Sequence, residues 1–240
     1  MATGNLWRVI ALNLIFVGAF CGIAAGAETD ADEAKKFKRL VGGMRSSNTR
    51  SRQKAQNGLL EIAKDETAPA SRRVRAALAI TDRLQWVNKE QAKPVCLIAE
   101  RLLSTIAEPA ERIEQTAKLA QTFAVIGDDE KAKGLMGQVE RNLDKLGSAE
   151  KKANALLVLA NGCRYTNDRK KGGSYCDKVR DLVSEMESAD TKLQTLRQVI
   201  GQYVRLYNTS GILSASAQME EVAGELPEPV GRNHQALRRE

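Results

Sequence analysis

Histidine, aromatic residues and strand-forming patterns are scarce in this chain of 240 residues. His234 is the only histidine and lies in a Pro-rich, charged tail, so a Ser-His-Asp device would require that tail to fold back. The spacing of Cys96, Cys163 and Cys176 matches no zinc pattern. Aromatics are only 4% of the chain, and short alternating β-branched runs do not occur, which indicates an all-α fold. The Gly-Gly pairs at 42–43 and 172–173 lack the spacing of a phosphate loop and are predicted to mark helix ends or turns. The sequence therefore predicts a non-catalytic protein without metal or cofactor.

The N-terminal segment has the three parts of a secretory signal. Arg8 precedes an apolar run from Val9 to Ala25 without charge, and the small residues 25–27 follow. We expect cleavage after Ala27, so that residues 1–27 are a signal peptide and the chain is exported to a periplasm or secreted. The alternative is a membrane anchor that stays uncleaved, because the run is barely shorter than a spanning helix. No later segment is long and apolar enough to cross a membrane.

An internal repeat of about 40 residues runs through the rest of the chain. Five similar short segments, each beginning with alanine, recur at spacings of 39 or 40 residues. A helix-breaking or helix-capping residue precedes each of them. Each alanine is therefore predicted to begin a helix. The five are Ala31, Ala70, Ala110, Ala149 and Ala189.

Each repeat is predicted to hold two helices. In the third, an apolar stripe from Ile113 to Ala124 is broken at 127–129, and a second stripe follows from Ala132. Units this thin cannot bury their own apolar faces, so they are predicted to stack as an α-solenoid. The predicted helical-repeat domain spans 28–226, with units 31–69, 70–109, 110–148, 149–188 and 189–226, and a disordered tail at 227–240.

Residues 119–132 resemble the tetratricopeptide repeat (TPR). That family has small residues and an aromatic in its first helix, a glycine in its turn and an alanine early in its second helix, and Ala120, Phe123, Gly127 and Ala132 stand at those places. The chain is TPR-like over 31–226. The resemblance implies a right-handed solenoid whose concave groove binds a peptide or protein segment without catalysis.

Cys163 and Cys176 are predicted to face each other across one helical hairpin. Cys163 falls in the last turn of one helix and Cys176 in the first turns of the next, where Cα atoms can approach within the roughly 7 Å that a disulfide requires. Two interpretations stay open, a disulfide or two small core residues. Cys96 is expected to be a buried free thiol.

A basic stretch is the most distinctive polar feature. Residues 28–101 hold 16 Lys and Arg against 10 Asp and Glu, whereas 102–240 hold 20 of each. One interpretation is a patch for an anionic partner, and the other is a solvated helix surface. Nucleic acid is disfavoured by export and by the few aromatics. The stretch comprises Lys35, Lys36, Lys38, Arg39, Arg45, Arg50, Arg52, Lys54, Arg72, Arg73 and Arg75.

The function that these features favour is an exported helical-repeat scaffold that binds a protein or peptide partner. The alternative is an envelope-associated structural protein that binds an anionic surface through its basic N-terminal units. The two differ in their response to salt, because screening acts over about 8 Å at physiological ionic strength and weakens exposed charge contacts most.

Overall fold

A computed structural model describes residues 31–224. The predicted signal peptide and the predicted tail at 227–240 lie outside this part of the chain. All regular secondary structure within it is helical, and no helix there is long and apolar enough to cross a membrane. The helices are α1 (31–44), α2 (Thr49–Lys64), α3 (Ala70–Val87), α4 (Lys89–Leu103), α5 (Pro109–Ile126), α6 (Asp129–Asn142), α7 (Ala149–Tyr165), α8 (Arg169–Val183), α9 (Ala189–Leu206) and α10 (Thr209–Gly224), with a short 3-10 helix at Leu143–Leu146.

Most odd-numbered helices begin at the alanines predicted to start them. Ala70, Ala149 and Ala189 are the first residues of α3, α7 and α9. The exception is α5, which begins one residue earlier at Pro109, because proline fits the first helical position, where no backbone N–H is needed. The Glu108 carboxylate caps this helix by accepting the backbone N–H of Glu111, and hydrogen bonds from Glu111 and then Ala110 lower the pKa of Glu108.

The even-numbered helices begin with a cap that recurs every 40 residues. An Asn or Asp side-chain oxygen accepts the backbone N–H three residues further on, which satisfies a donor that the helix leaves unpaired. The last three caps follow a residue in the left-handed conformation, which turns the chain sharply between two helices. The five caps are Asn48, Asn88, Asp128, Asp168 and Asn208.

The helices pack in chain order. Each odd-numbered helix from α3 to α9 pairs with the even-numbered helix that follows it. In addition, α3, α5, α7 and α9 pack side by side, whereas α4, α6 and α8 have no extensive contact with one another. One apolar core runs through almost all of these helices, and a small second cluster around Leu196 lies at the C-terminal end.

The two glycine pairs differ in their positions. Gly42 and Gly43 lie in the last turn of α1, directly before the turn at Arg45, so this pair marks a helix end as predicted. Gly172 and Gly173 lie inside α8, where both are buried, so for this pair the prediction is wrong. A Cβ on Gly172 would lie 2.9 Å from Leu206 of α9. The pair in α8 is glycine because the next hairpin approaches its backbone closely.

Candidate functional site: a groove on the odd-numbered helices

A groove of about 430 Å³ crosses the exposed side of α5, α7 and α9. Its apolar base includes the buried side chains of Ala117, Ala155 and Leu157. Three charged side chains and five amides complete the lining, and we call this site the amide groove. The charged residues are Glu114, Lys118 and Lys151, and the amides are Gln121, Asn154, Asn161, Gln198 and Gln202.

The amides reach the groove because of their helical spacing. On α7, Asn154, Val158 and Asn161 recur every three or four residues and so lie on one side of the helix, opposite buried residues such as Leu156. The same spacing aligns Gln198 and Gln202 on α9. Because the three helices pack side by side, these separate polar sides form one continuous surface.

The amide groove is suited to hydrogen bonding of uncharged polar groups. A carboxamide both donates and accepts, so five of them can pair with either kind of backbone group on a ligand. The Oε1 atom of Gln202 is buried and accepts no hydrogen bond from residues 31–224. Burial of an oxygen without a donor is costly, and the same holds for Oε1 of Gln85 and of Gln115 outside the groove.

Two aromatic rings lie beside the end of the amide groove. Tyr165 is one helical turn beyond Asn161 on α7, and its ring meets Trp86 of α3 edge to face, with the centroids 5.7 Å apart. The guanidinium of Arg164 lies 5.4 Å from the centre of the Tyr165 ring. Trp86 is nevertheless 58% exposed. Large exposed aromatics beside a groove are the residues that most often contribute binding energy at protein interfaces.

Five members of the predicted basic stretch make contacts within the fold. Arg73 donates to the backbone oxygen of Ala63, and Arg52 donates to that of Ser46 and to the Thr49 hydroxyl. The other three form ion pairs. These are Lys35 with Asp32 at 3.7 Å, Arg72 with Glu33, and Arg75 with Glu111 at 3.5 Å.

The other six basic side chains are exposed and form no ion pair with residues 31–224. They lie on α1, on α2 and in the turn between them, at the opposite end of the helix stack from α9 and α10. The structure therefore places them apart from the amide groove. The six are Lys36, Lys38, Arg39, Arg45, Arg50 and Lys54.

Cys96, Cys163 and Cys176 are all buried free thiols in the structure. Burial is the main cause that raises the pKa of each to about 12, so their thiolates are scarce at neutral pH. Cys163 lies against the backbone of α8. A Cβ added at Gly172 of that helix would be 3.1 Å from the Cβ of Cys163. The disulfide between Cys163 and Cys176 stays a prediction.

Among residues 31–224, no group of three His, Cys, Asp or Glu side chains is placed to hold a metal ion. Comparison of the chain with protein-family models, curated proteins and solved structures finds no match. The candidate site therefore has to be interpreted from its own geometry.

Proposed function

We propose that this chain is an exported, non-catalytic scaffold that binds an extended segment of a partner protein in the amide groove. The observation that supports this function best is the set of five side-chain amides above an apolar base, with Trp86 and Tyr165 beside one end. Export is proposed from the basic, apolar and small-residue parts of segment 8–27. The fold that goes with it is a right-handed, TPR-like solenoid of five units.

An extended peptide matches the chemistry of the groove. Its backbone presents N–H and C=O groups in alternation, and these need partners once they leave water. Carboxamides supply both kinds of partner. The apolar base would receive small or aliphatic side chains, and Trp86 would contact a larger apolar one.

The test is to select binding peptides from a random displayed library with protein purified after expression of the full chain. Trp86 is the only tryptophan beyond Trp7, so its fluorescence reports directly on binding near the groove. The groove variants are Asn161→Ala and Gln202→Ala, and the matched control is Gln138→Ala on α6, outside the groove.

We expect the groove variants to weaken binding by about tenfold each, since loss of a buried hydrogen bond costs roughly 1–2 kcal/mol. The control should bind as the wild type does. Much of the affinity should persist at high salt, because the contacts of the five amides are not ionic. Peptides whose binding is unchanged by both groove variants would refute the proposal.

The second candidate is an envelope-associated structural protein held on an anionic surface. It is favoured by the six exposed basic side chains of α1 and α2 that have no ion-pair partner among residues 31–224. Vesicles of anionic phospholipid are the probe, with uncharged vesicles as the control. Binding that is lost at high salt and in Lys36→Glu/Arg39→Glu, while the groove variants bind normally, would support it.

A further inference from the structure

An ion pair recurs between successive even-numbered helices. Glu100 of α4 pairs with Lys131 of α6 at 2.7 Å, and Glu140 of α6 pairs with Lys171 of α8 at 3.1 Å. In both cases the Glu is twelve residues after the cap of its own helix, and the Lys is three residues after the next cap. The same contact therefore joins successive hairpins at two junctions in the middle of the stack, whereas Leu60 of α2 and Arg180 of α8 stand at the Glu position of the other two junctions.

A second recurring contact lies five residues after the cap. There Lys93 of α4 approaches the cap Asp128 at 4.0 Å. In α8 the residue five positions after the cap is Gly173. A Cβ added there would lie 3.2 Å from the side chain of the next cap, Asn208. This position therefore lies against the turn of the following hairpin.

In α10 the same two positions have no following hairpin in the described chain. Leu213, five residues after Asn208, is 68% exposed, and Glu220, twelve residues after it, is exposed without an ion pair among residues 31–224. Leu213 and Glu220, which lie seven residues apart and so on one side of α10, are here called the terminal face.

The first hairpin supplies complementary charge. Three residues after the cap Asn48, where Lys131 and Lys171 stand in later repeats, the chain has Ser51. Arg50 is adjacent to it, and Lys54 lies one turn beyond Arg50 on the same side of α2. Both are exposed and form no ion pair with residues 31–224, so they are available to acidic groups of another molecule.

We propose that the terminal face binds the first hairpin of a second copy of this chain, so that copies associate head to tail. Glu220 would face Arg50 and Lys54 of the second copy, and the α1–α2 turn of that copy would cover the side chain of Leu213. This arrangement continues the contact that already joins hairpins within one chain. It does not depend on what occupies the amide groove.

Head-to-tail contacts use two different surfaces, which allows a mixing experiment. One variant, Leu213→Glu/Glu220→Lys, blocks the terminal face. The other, Arg50→Glu/Lys54→Glu, blocks the first hairpin. The control, Val87→Glu, changes an apolar residue that is 65% exposed elsewhere. Mass in solution is measured by sedimentation over a range of concentrations, with protein purified after expression of the full chain, and circular dichroism verifies that each variant folds.

We expect the mass of the wild type and of the control to rise with concentration beyond that of a dimer. A head-to-tail dimer still has one unused terminal face and one unused first hairpin, so further copies can add to it. Each blocked variant should be monomeric by itself, with association at least about tenfold weaker. A mixture of the two should form a dimer and nothing larger, through the one intact pair of surfaces. A monomeric wild type, association of the hairpin variant by itself, or a mixture that stays monomeric would each overturn the proposal.

Discussion

Replacing Gly211 with alanine tests how tightly the last two helices pack. A Cβ at Gly211 would lie 2.5 Å from two carbons of the Tyr203 ring. That ring is completely buried, and its hydroxyl donates to Asp177 Oδ1 at 2.5 Å, so it has little room to retreat. Gly201 is the matched control, because it also lies within a helix of this hairpin but has no atom within 4 Å of the added carbon.

The two substitutions should change stability in opposite directions. Overpacking costs roughly 1–3 kcal/mol, and alanine recovers up to about 1 kcal/mol of helix propensity. Gly211→Ala should therefore lower the free energy of unfolding by about 1–2 kcal/mol, and Gly201→Ala should raise it by about 0.5–1 kcal/mol. For a chain of this size these values correspond to a Tm lower by about 2–8 °C and higher by about 1–4 °C.

Thermal and urea unfolding followed by circular dichroism measure both variants against the wild type. We expect the α9–α10 hairpin to unfold together with the helix stack, because Tyr203, Leu206 and Ala215 belong to the shared apolar core, so the transition midpoint should report on it. A Gly211→Ala protein as stable as Gly201→Ala would show that Tyr203 does not pack against α10 as described, and the reasoning would fail.

Three further predictions concern caps, ion pairs and thiols. Asp128→Ala should lower the free energy of unfolding by about 1 kcal/mol through loss of the cap, whereas Asp129→Ala, one residue on, should change it by less than about 0.5 kcal/mol, as urea titration can verify. Lys131→Met should cost up to about 1 kcal/mol at low salt and less at high salt, while Lys35→Met, whose ion pair is more than 80% exposed, should have no measurable effect. Because burial raises the pKa of the three cysteines to about 12, their thiolates stay scarce at pH 9 in the folded protein, and alkylation followed by mass spectrometry should be at least about tenfold slower than in urea. A Cys163–Cys176 disulfide would leave only Cys96 of these three open to alkylation in urea in the same experiment.

The start points of the odd-numbered helices were predictable because caps and helix breakers act locally. Ser148 accepts the backbone N–H of Lys151, and Pro69 cannot continue the helix before it, so both leave a signal in the sequence.

Contacts between residues far apart in the chain were not predictable in the same way. Arg73 and Arg75 belong to the basic stretch by sequence, yet one donates to the backbone of α2 and the other pairs with Glu111 of α5. A charged side chain on a helix has the same sequence pattern whether it meets water or a neighbouring helix. Only the packing of α3 against both neighbours distinguishes the two cases.

By itself, the sequence determined an all-helical fold and the starts of most odd-numbered helices, because periodicity, caps and prolines act within a few residues. Tertiary structure alone decided the candidate site. The amides of α5, α7 and α9 look like ordinary solvated positions in the sequence, and Trp86 lies far along the chain from Tyr165. They become one site because the odd-numbered helices pack side by side, which brings residues from separate repeats onto a common surface.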